Sequence, residues 1–551
     1  MKRYYKVATL LWCILNVSSA FAQLERDQNG EIPDEEVVII KEKELKLPEA
    51  IRNFEKVTIP VKPAPVQAQK YAFQDFKVVL PPVEPRMSVA RLPQDELSKL
   101  YGTYVKGGVG NYATTYLELF HNSKRTNDYA YGVHAKHLAT PRGVSKVAGN
   151  SDNRFAGYGQ YFNEKYVLGG RLHYSRERYN FFGYDNAEKL NKDSLRQIYN
   201  NIAFEASIQN ATDSAKFAYT GNINFSNFGD NQKQRESEFG ASLLSKYKLS
   251  ETGAIIADLE IALMQYRADT LSQGRNYTSL RPAYFYKKDK LELTVGANFA
   301  FANDKLPQAK KAYVYPNIHA NYQLIEGKLT LMGGVFGNLE KRTFRNFVAE
   351  NPFVDSMLTL AHTSKNLDVY VGVKGAASSS LSYSVSGGFQ SYDMLPFWVN
   401  NPQDYAKYVL VYDSSNTKVT RFSAEIAYNQ RENLRVSLKA DYYGYKLSHF
   451  KEAWHRPSFK TSFNAKYHYR NKVFLNFDVY YMGTQYAPEP RLGTIAELKG
   501  LTDIDLKIDY KLSEKFSVFL EMDNILSQKN QRYLYYQNRG LLVLLGASAS
   551  L

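Results

Sequence analysis

Leu501-Thr-Asp-Ile-Asp-Leu-Lys-Ile-Asp-Tyr-Lys-Leu-Ser-Glu-Lys-Phe-Ser-Val-Phe-Leu-Glu-Met-Asp523 is the stretch that decides the fold. Asp503, Asp505, Lys507 and Asp509 alternate with Ile504, Leu506, Ile508 and Tyr510. Residues 512–515 interrupt the pattern, and then Phe516, Val518, Leu520 and Met522 alternate with Ser517, Glu521 and Asp523. A strand sends successive side chains to opposite faces, so each of these strands has one apolar and one charged face. The chain then closes on Leu541-Leu-Val-Leu-Leu-Gly-Ala-Ser-Ala-Ser-Leu551, without a charged side chain. A soluble sheet rarely carries so much apolar weight on one face, strand after strand. A closed barrel in lipid does, with apolar residues outward and polar residues inward.

The alternation recurs upstream. Tyr166, Leu168, Leu172 and Tyr174 oppose Arg171, His173 and Ser175. Leu291, Leu293, Val295, Ala297 and Phe299 oppose Glu292, Thr294 and Asn298, and Val473, Leu475, Phe477 and Val479 oppose Asn476 and Asp478. Ten short polar turns separate such strands, at 122–127, 163–165, 210–214, 249–253, 287–290, 326–328, 376–380, 429–433, 469–472 and 512–515. Longer polar segments lie between them, at 140–152, 182–195, 341–366, 391–417 and 485–497. Short turns at one rim and long loops at the other are the mark of a barrel with both ends in the periplasm. Ten turns then imply eleven hairpins, so the prediction is an all-β transmembrane antiparallel barrel of about 22 strands. Residues 405–412 also read as a strand, but counting them in the membrane would break the alternation of rims. They are placed in a hairpin above the surface.

The N-terminus sets the compartment. Lys2 and Arg3 precede an apolar run from Val7 to Val17, and Ala20-Phe21-Ala22 is a small-x-small cleavage site. Residues 1–22 therefore read as a signal peptide, with the mature chain starting near Gln23. The chain's one cysteine, Cys13, falls inside that peptide, which leaves neither a disulfide nor a thiolate metal site. Nine of the 19 prolines fall between residues 23 and 98. That segment reads as an extended, proline-rich arm, periplasmic or inserted in the lumen, with the barrel occupying residues 99–551.

Composition excludes several classes. Tyrosine is abundant at 44 residues, which suits the headgroup level of a membrane. The net charge of +15 is scattered along strands and turns rather than gathered on a helix, so nucleic acid is not expected as a partner, whereas anionic outer-membrane lipid is. No metalloprotease, nucleophile-elbow, phosphate-loop or Cys/His motif is present, so neither an enzyme nor a cofactor is expected. His134 and His137 fall on opposite faces of a strand and make poor co-ligands. Asp503, Asp505 and Asp509 share a face, but Lys507 sits among them, which favours a lumen wall with internal ion pairs over a metal site.

The stretch from Tyr510 through Asn524-Ile525-Leu526-Ser527, with Tyr535-Tyr536, Arg539-Gly540 and a closing apolar strand, resembles the C-terminal end of TonB-dependent receptors. Asn351-Pro352-Phe353, and Leu395-Pro-Phe-Trp-Val-Asn400 followed by Val411-Tyr412-Asp413, resemble the barrels of that type in Bacteroidota. The resemblance covers residues 99–551 and implies a Gram-negative outer-membrane barrel with transport or receptor duty for a bulky ligand. The chain departs from the family in two respects. About 76 proline-rich residues stand where a globular plug is usual, and the last residue is Leu551 rather than an aromatic.

Within Glu35–Lys41, the residues Glu36, Val37, Val38, Ile39 and Ile40 resemble a TonB box, a strand that would pair with TonB's sheet edge; a plain strand or a lumen contact is the other reading. Two loops carry apolar weight, with Phe353, Met357 and Leu358 in one and Leu395, Phe397 and Trp398 in the other. They bind a ligand or partner, or they cap the lumen by packing on each other. The second functional class is a structural subunit of an outer-membrane export, insertion or surface-assembly complex, with other envelope proteins as partners.

Overall fold

Exposed apolar side chains on the outside alternate with buried, largely polar ones on the inside along the long strands. The structure, a computed structural model, describes residues 100–551 apart from Arg125, Asp213, Ser214 and Glu432. Phe204, Phe225, Phe239 and Leu263 are each about half exposed on the outside, at 46–52%. Their inward neighbours Glu236, Glu238, Ala262 and Met264 are buried. This inverts a soluble protein and matches a sheet whose outer solvent is hydrocarbon.

Twenty-two long antiparallel strands close on themselves. The first, Thr103–Gly110, pairs with the second, Thr114–Asn122, and with the last, Leu542–Ser550. Thr103 and Leu551 exchange backbone hydrogen bonds of 3.0 and 2.8 Å at the foot of the seam. At its upper end Asn111 donates to Leu541 O at 2.8 Å and accepts from Val543 N at 3.0 Å. The seam is tight. A Cβ on Gly546 would collide with the carbonyl of Gly107 and with the Phe519 ring. That ring lies over the two glycines Gly108 and Gly546, and Lys106 sits 3.8 Å above its centre.

Ten connections of two to six residues lie at one rim, where both ends of the barrel also emerge. Each is at a turn expected from the sequence. Gly327 takes the left-handed conformation, φ +64°, in the turn after Ile325. At the other rim eleven connections of three to 23 residues carry further structure. Leu395–Asn400 and Tyr408–Asp413 form a separate two-stranded sheet, so residues 405–412 lie in a hairpin outside the barrel wall, as the alternation of rims requires. The hairpins Gln485–Glu489 with Thr494–Leu498 and Gln531–Tyr533 with Tyr536–Gln537, and a helix at Phe344–Glu350, are additions that the sequence pattern does not announce. The expected signal peptide, the expected arm and Glu36–Ile40 lie outside the described residues.

Candidate functional site

The long connections fold over and into the mouth of the barrel. The helix Phe344–Glu350 starts where Thr343 caps it: Thr343 Oγ1 accepts from Asn346 N at 3.1 Å, and Asn346 Oδ1 accepts from Thr343 N at 3.0 Å. Its buried face, Phe344, Phe347 and Val348, has helical spacing. Phe344 enters an aromatic socket on the inner wall, 5.2 Å from Phe228 and 5.6 Å from Tyr266. Phe347 meets Trp398 edge-on at 6.1 Å. Val354, Leu358 and Leu360 are fully buried in the same core, and Phe353 stacks on Tyr536 at 3.6 Å. Leu395 and Phe397 turn to a neighbouring cluster with Ala453 and Trp454. Of the six apolar loop residues singled out in the sequence, only Met357 is exposed, at 54%; Phe353 is part-buried and the others are buried.

Irregular backbone inside such a core must find hydrogen-bond partners. Tyrosine hydroxyls supply them. Tyr199 donates to Pro352 O at 2.8 Å, Tyr408 to Leu534 O at 2.7 Å, Tyr533 to Glu350 O at 2.6 Å and Tyr536 to Ala406 O at 2.5 Å. Tyr412 donates to Thr359 O at 3.0 Å and accepts from Ala361 N at 2.9 Å. Each such bond ties one loop to the wall or to another loop. Abundant tyrosine therefore serves the mouth as well as the membrane interface.

Charge fixes the base of the 341–362 loop to the wall. Arg275, fully buried, lies 2.9 Å from Glu236 and 3.5 Å from Asp304, and donates to Arg342 O at 2.8 Å. Glu236 also accepts from Phe344 N at 2.7 Å, at the positive end of the helix. Asp304 accepts from His362 N at 2.6 Å. Burial pushes the Asp304 carboxyl up, against the pull of Arg275. Lys341 lies 2.9 Å from both Glu238 and Glu260. Burial alone would favour its neutral amine, but those two carboxylates outweigh it and hold the ammonium above the ordinary lysine range.

Two loop histidines are buried in neutral form. His455 lies between loops, its Nδ1 2.9 Å from Trp398 O and its Nε2 accepting from Leu534 N at 3.4 Å. Burial lowers it to about 4, and Arg532 adds to the shift. His362 accepts from Arg342 N at 3.0 Å, and burial beside Arg275 holds it well below the usual range. A cavity of about 130 Å³ between Gly143, Tyr179, Phe182, Phe353 and Arg539 is smaller than the ~300 Å³ at which ligand pockets begin. The mouth is shut.

The remaining sequence candidates lie on the walls. His134 faces the lumen, 2.8 Å from Glu118, whereas His137 lies on the outer face. His173 is 3.4 Å from Asn201. Lys507 lies 3.8 Å from Asp509 on the inner face. Arg275, Glu236, Asp304, His455 and the stapling tyrosines were missed in the sequence. Their partners lie 29 to 183 positions away, and of the stapling tyrosines only Tyr412 and Tyr536 stand within quoted motifs.

No protein-family model matches the chain, and no curated protein matches it. Solved structures do. The siderophore receptor PirA from Acinetobacter baumannii matches with a TM-score of 0.63 at 11% identity, over 83% of this chain and 81% of that one. The FrpB iron transporter from Neisseria meningitidis gives 0.63 at 11% identity over 82% of each chain. A point mutant of the ferric enterobactin receptor PfeA from Pseudomonas aeruginosa, in complex with enterobactin, gives 0.60 at 12% over 82% of each. At such identities the likeness is one of fold: this chain has the 22-strand barrel architecture of TonB-dependent outer-membrane receptors.

Proposed function

We propose that the chain is an outer-membrane transport barrel for a bulky ligand, in a state with its mouth closed. The observation that carries this reading is the lid: long loops that share one hydrophobic core with the inner wall fold into the mouth of a 22-strand barrel. Barrels of this size are otherwise wide aqueous holes or plugged transporters. The long-loop rim faces the exterior and both termini the periplasm. The strand Glu36, Val37, Val38, Ile39 and Ile40 pairs with TonB, and the arm of residues 23–98 stands in place of a globular plug. Solved relatives in fold that are named for siderophores, iron and ferric enterobactin support a ligand of metal-chelate size. Burial of Leu395, Phe397 and Trp398 within the chain supports a capping role for them rather than docking of another envelope protein.

The test is uptake. Cells carrying the wild type, a deletion, or Val38→Pro are offered ferric enterobactin, ferrichrome, haem and vitamin B12 in turn. Proline removes a backbone donor that an added strand needs. At least one probe should enter only with the intact chain, stop with a protonophore, and fall in Val38→Pro at unchanged barrel abundance. Wild-type and deletion cells that match across the panel would sink the transport reading. Uptake that survives Val38→Pro would remove TonB engagement alone.

A further inference from the structure

The outer face of the barrel carries a charge pattern that neither closure nor transport uses. Strand pairing sets seven residues in one row: His137, Asn153, Arg176, Asn200, Gly229, Arg235 and Arg267, each directly opposite the next. His137, Arg176, Arg235 and Arg267 are exposed, while their chain neighbours Lys136, Ser175, Glu236 and Tyr266 are buried toward the lumen. Arg176 donates to Asn200 Oδ1 at 3.1 Å, and His137 Nδ1 lies 2.6 Å from Asn153 Oδ1. Among the described residues no carboxylate pairs with Arg176, Arg235 or Arg267; Asp193 and Asp269 at this rim pair with Arg196 and Lys233 instead. Adjacent arginines without a counter-ion repel each other unless an anion joins them.

Height decides which anion. One and two rows toward the short turns, the same face presents Phe155, Tyr174 and Ile202, then Leu172, Phe204 and Phe239, all exposed. The guanidiniums thus stand at the upper edge of the apolar band, where headgroups lie and where a cation is tolerated. Three rows below the cations, Gly159, Gly170 and Ala206 are successive partners across three strands. A Cβ on Gly159 or Gly170 would touch nothing within 4 Å. With Tyr131, Tyr161 and Leu168 the glycines frame a shallow, open outward groove. Six residues are about 20 Å along a strand, or about 15 Å along the membrane normal at a tilt of ~40°. The groove therefore lies near mid-bilayer, within reach of an acyl chain anchored at the cationic row. Arg176 and Arg235 stand three strand spacings apart, about 14 Å.

We propose that this face binds a diphosphorylated glycolipid of the leaflet at the long-loop rim, with Arg176 on one phosphate, Arg235 and Arg267 on the other, and an acyl chain in the groove. Planar guanidinium donors match phosphate oxygens in pairs. The proposal rests on the barrel spanning a membrane, and not on what it carries.

The full chain in detergent is titrated with diphosphoryl lipid A, monophosphoryl lipid A and phosphatidylcholine, and retained lipid is counted by native mass spectrometry. Wild type should retain the diphosphoryl form best. The triple variant Arg176→Gln/Arg235→Gln/Arg267→Gln should lose roughly tenfold in apparent affinity and its preference between the two lipid A forms. Gly159→Leu, which fills open space, should weaken both forms alike. Retention by the triple variant equal to wild type, or no preference of wild type for phosphate, would overturn the proposal. Heat-modifiable migration on gels reports the folded barrel separately. A chain that never shows it would defeat the membrane reading itself, whereas a folded barrel with unselective retention defeats only the lipid site.

Discussion

Gly546 shows how little room the closing seam leaves. Its missing Cβ is where the Gly107 carbonyl and the Phe519 ring already lie. Gly546→Ala should therefore destabilise the folded barrel by about 1–3 kcal/mol, the range for overpacking. Gly159→Ala, with open space around it, should be neutral within ~0.5 kcal/mol. Urea titration of both variants in lipid, followed by heat-modifiable migration, checks the pair; equal losses would refute the seam's tightness. Neither outcome was legible in the sequence. Gly546 sits in a run of small residues, and the atoms that crowd it come from the first strand and the twenty-first. Periodicity assigns a face to a residue but says nothing of how closely the opposite strand approaches.

The 341–362 loop is the element on which closure turns. Arg275→Met would leave Glu236 and Asp304 buried without their cation, a change that commonly costs about 3–5 kcal/mol when one partner of a buried pair is removed. Here the strain should be relieved locally, by release of the loop. Hydrogen exchange should rise across residues 341–362 while the strand Arg235–Lys248 stays protected. Unchanged exchange in the loop would show that the apolar core holds it alone.

Acid should act on the same mouth through His455. Its folded value of about 4 lies below the unfolded 6.5, so the unfolded loops bind the proton first and stability falls as pH is lowered. The contribution is complete above 6.5, is lost progressively down to about 4, and amounts to about 3 kcal/mol. Protease nicking of the loops at pH 7 and pH 5 measures it, and His455→Gln should flatten the difference. The apolar weight of these loops was legible because Phe353, Leu358, Leu395, Phe397 and Trp398 stand out in polar surroundings. What satisfies their backbone was not, since a tyrosine reads the same whether it meets a headgroup or a distant carbonyl.

For the whole molecule, the strand number was legible because two independent signals agree, the period of two along each strand and the alternation of short and long connections. Ten local turns suffice to count the wall. The lid over it arises from contacts between segments far apart in the chain, and these leave no local trace. Closure has an electrical consequence. In planar bilayers the intact chain should pass little current, and replacing residues 342–361 by a short Gly-Ser linker should open large, long-lived channels. Current from the intact chain as large as from the linker variant would contradict a closed mouth. The seam bears also on how the barrel is made. Its partners, such as Asn111 and Val543, are 432 positions apart, so the last pairing must await synthesis and arrangement of all other strands. Until then two strand edges stand open, each able to template aggregation with another chain. Biogenesis of this barrel is therefore a race between ring closure and intermolecular capture, and the glycine-lined seam is the place where an assembly catalyst would have most to gain by holding the ends apart and then letting them meet.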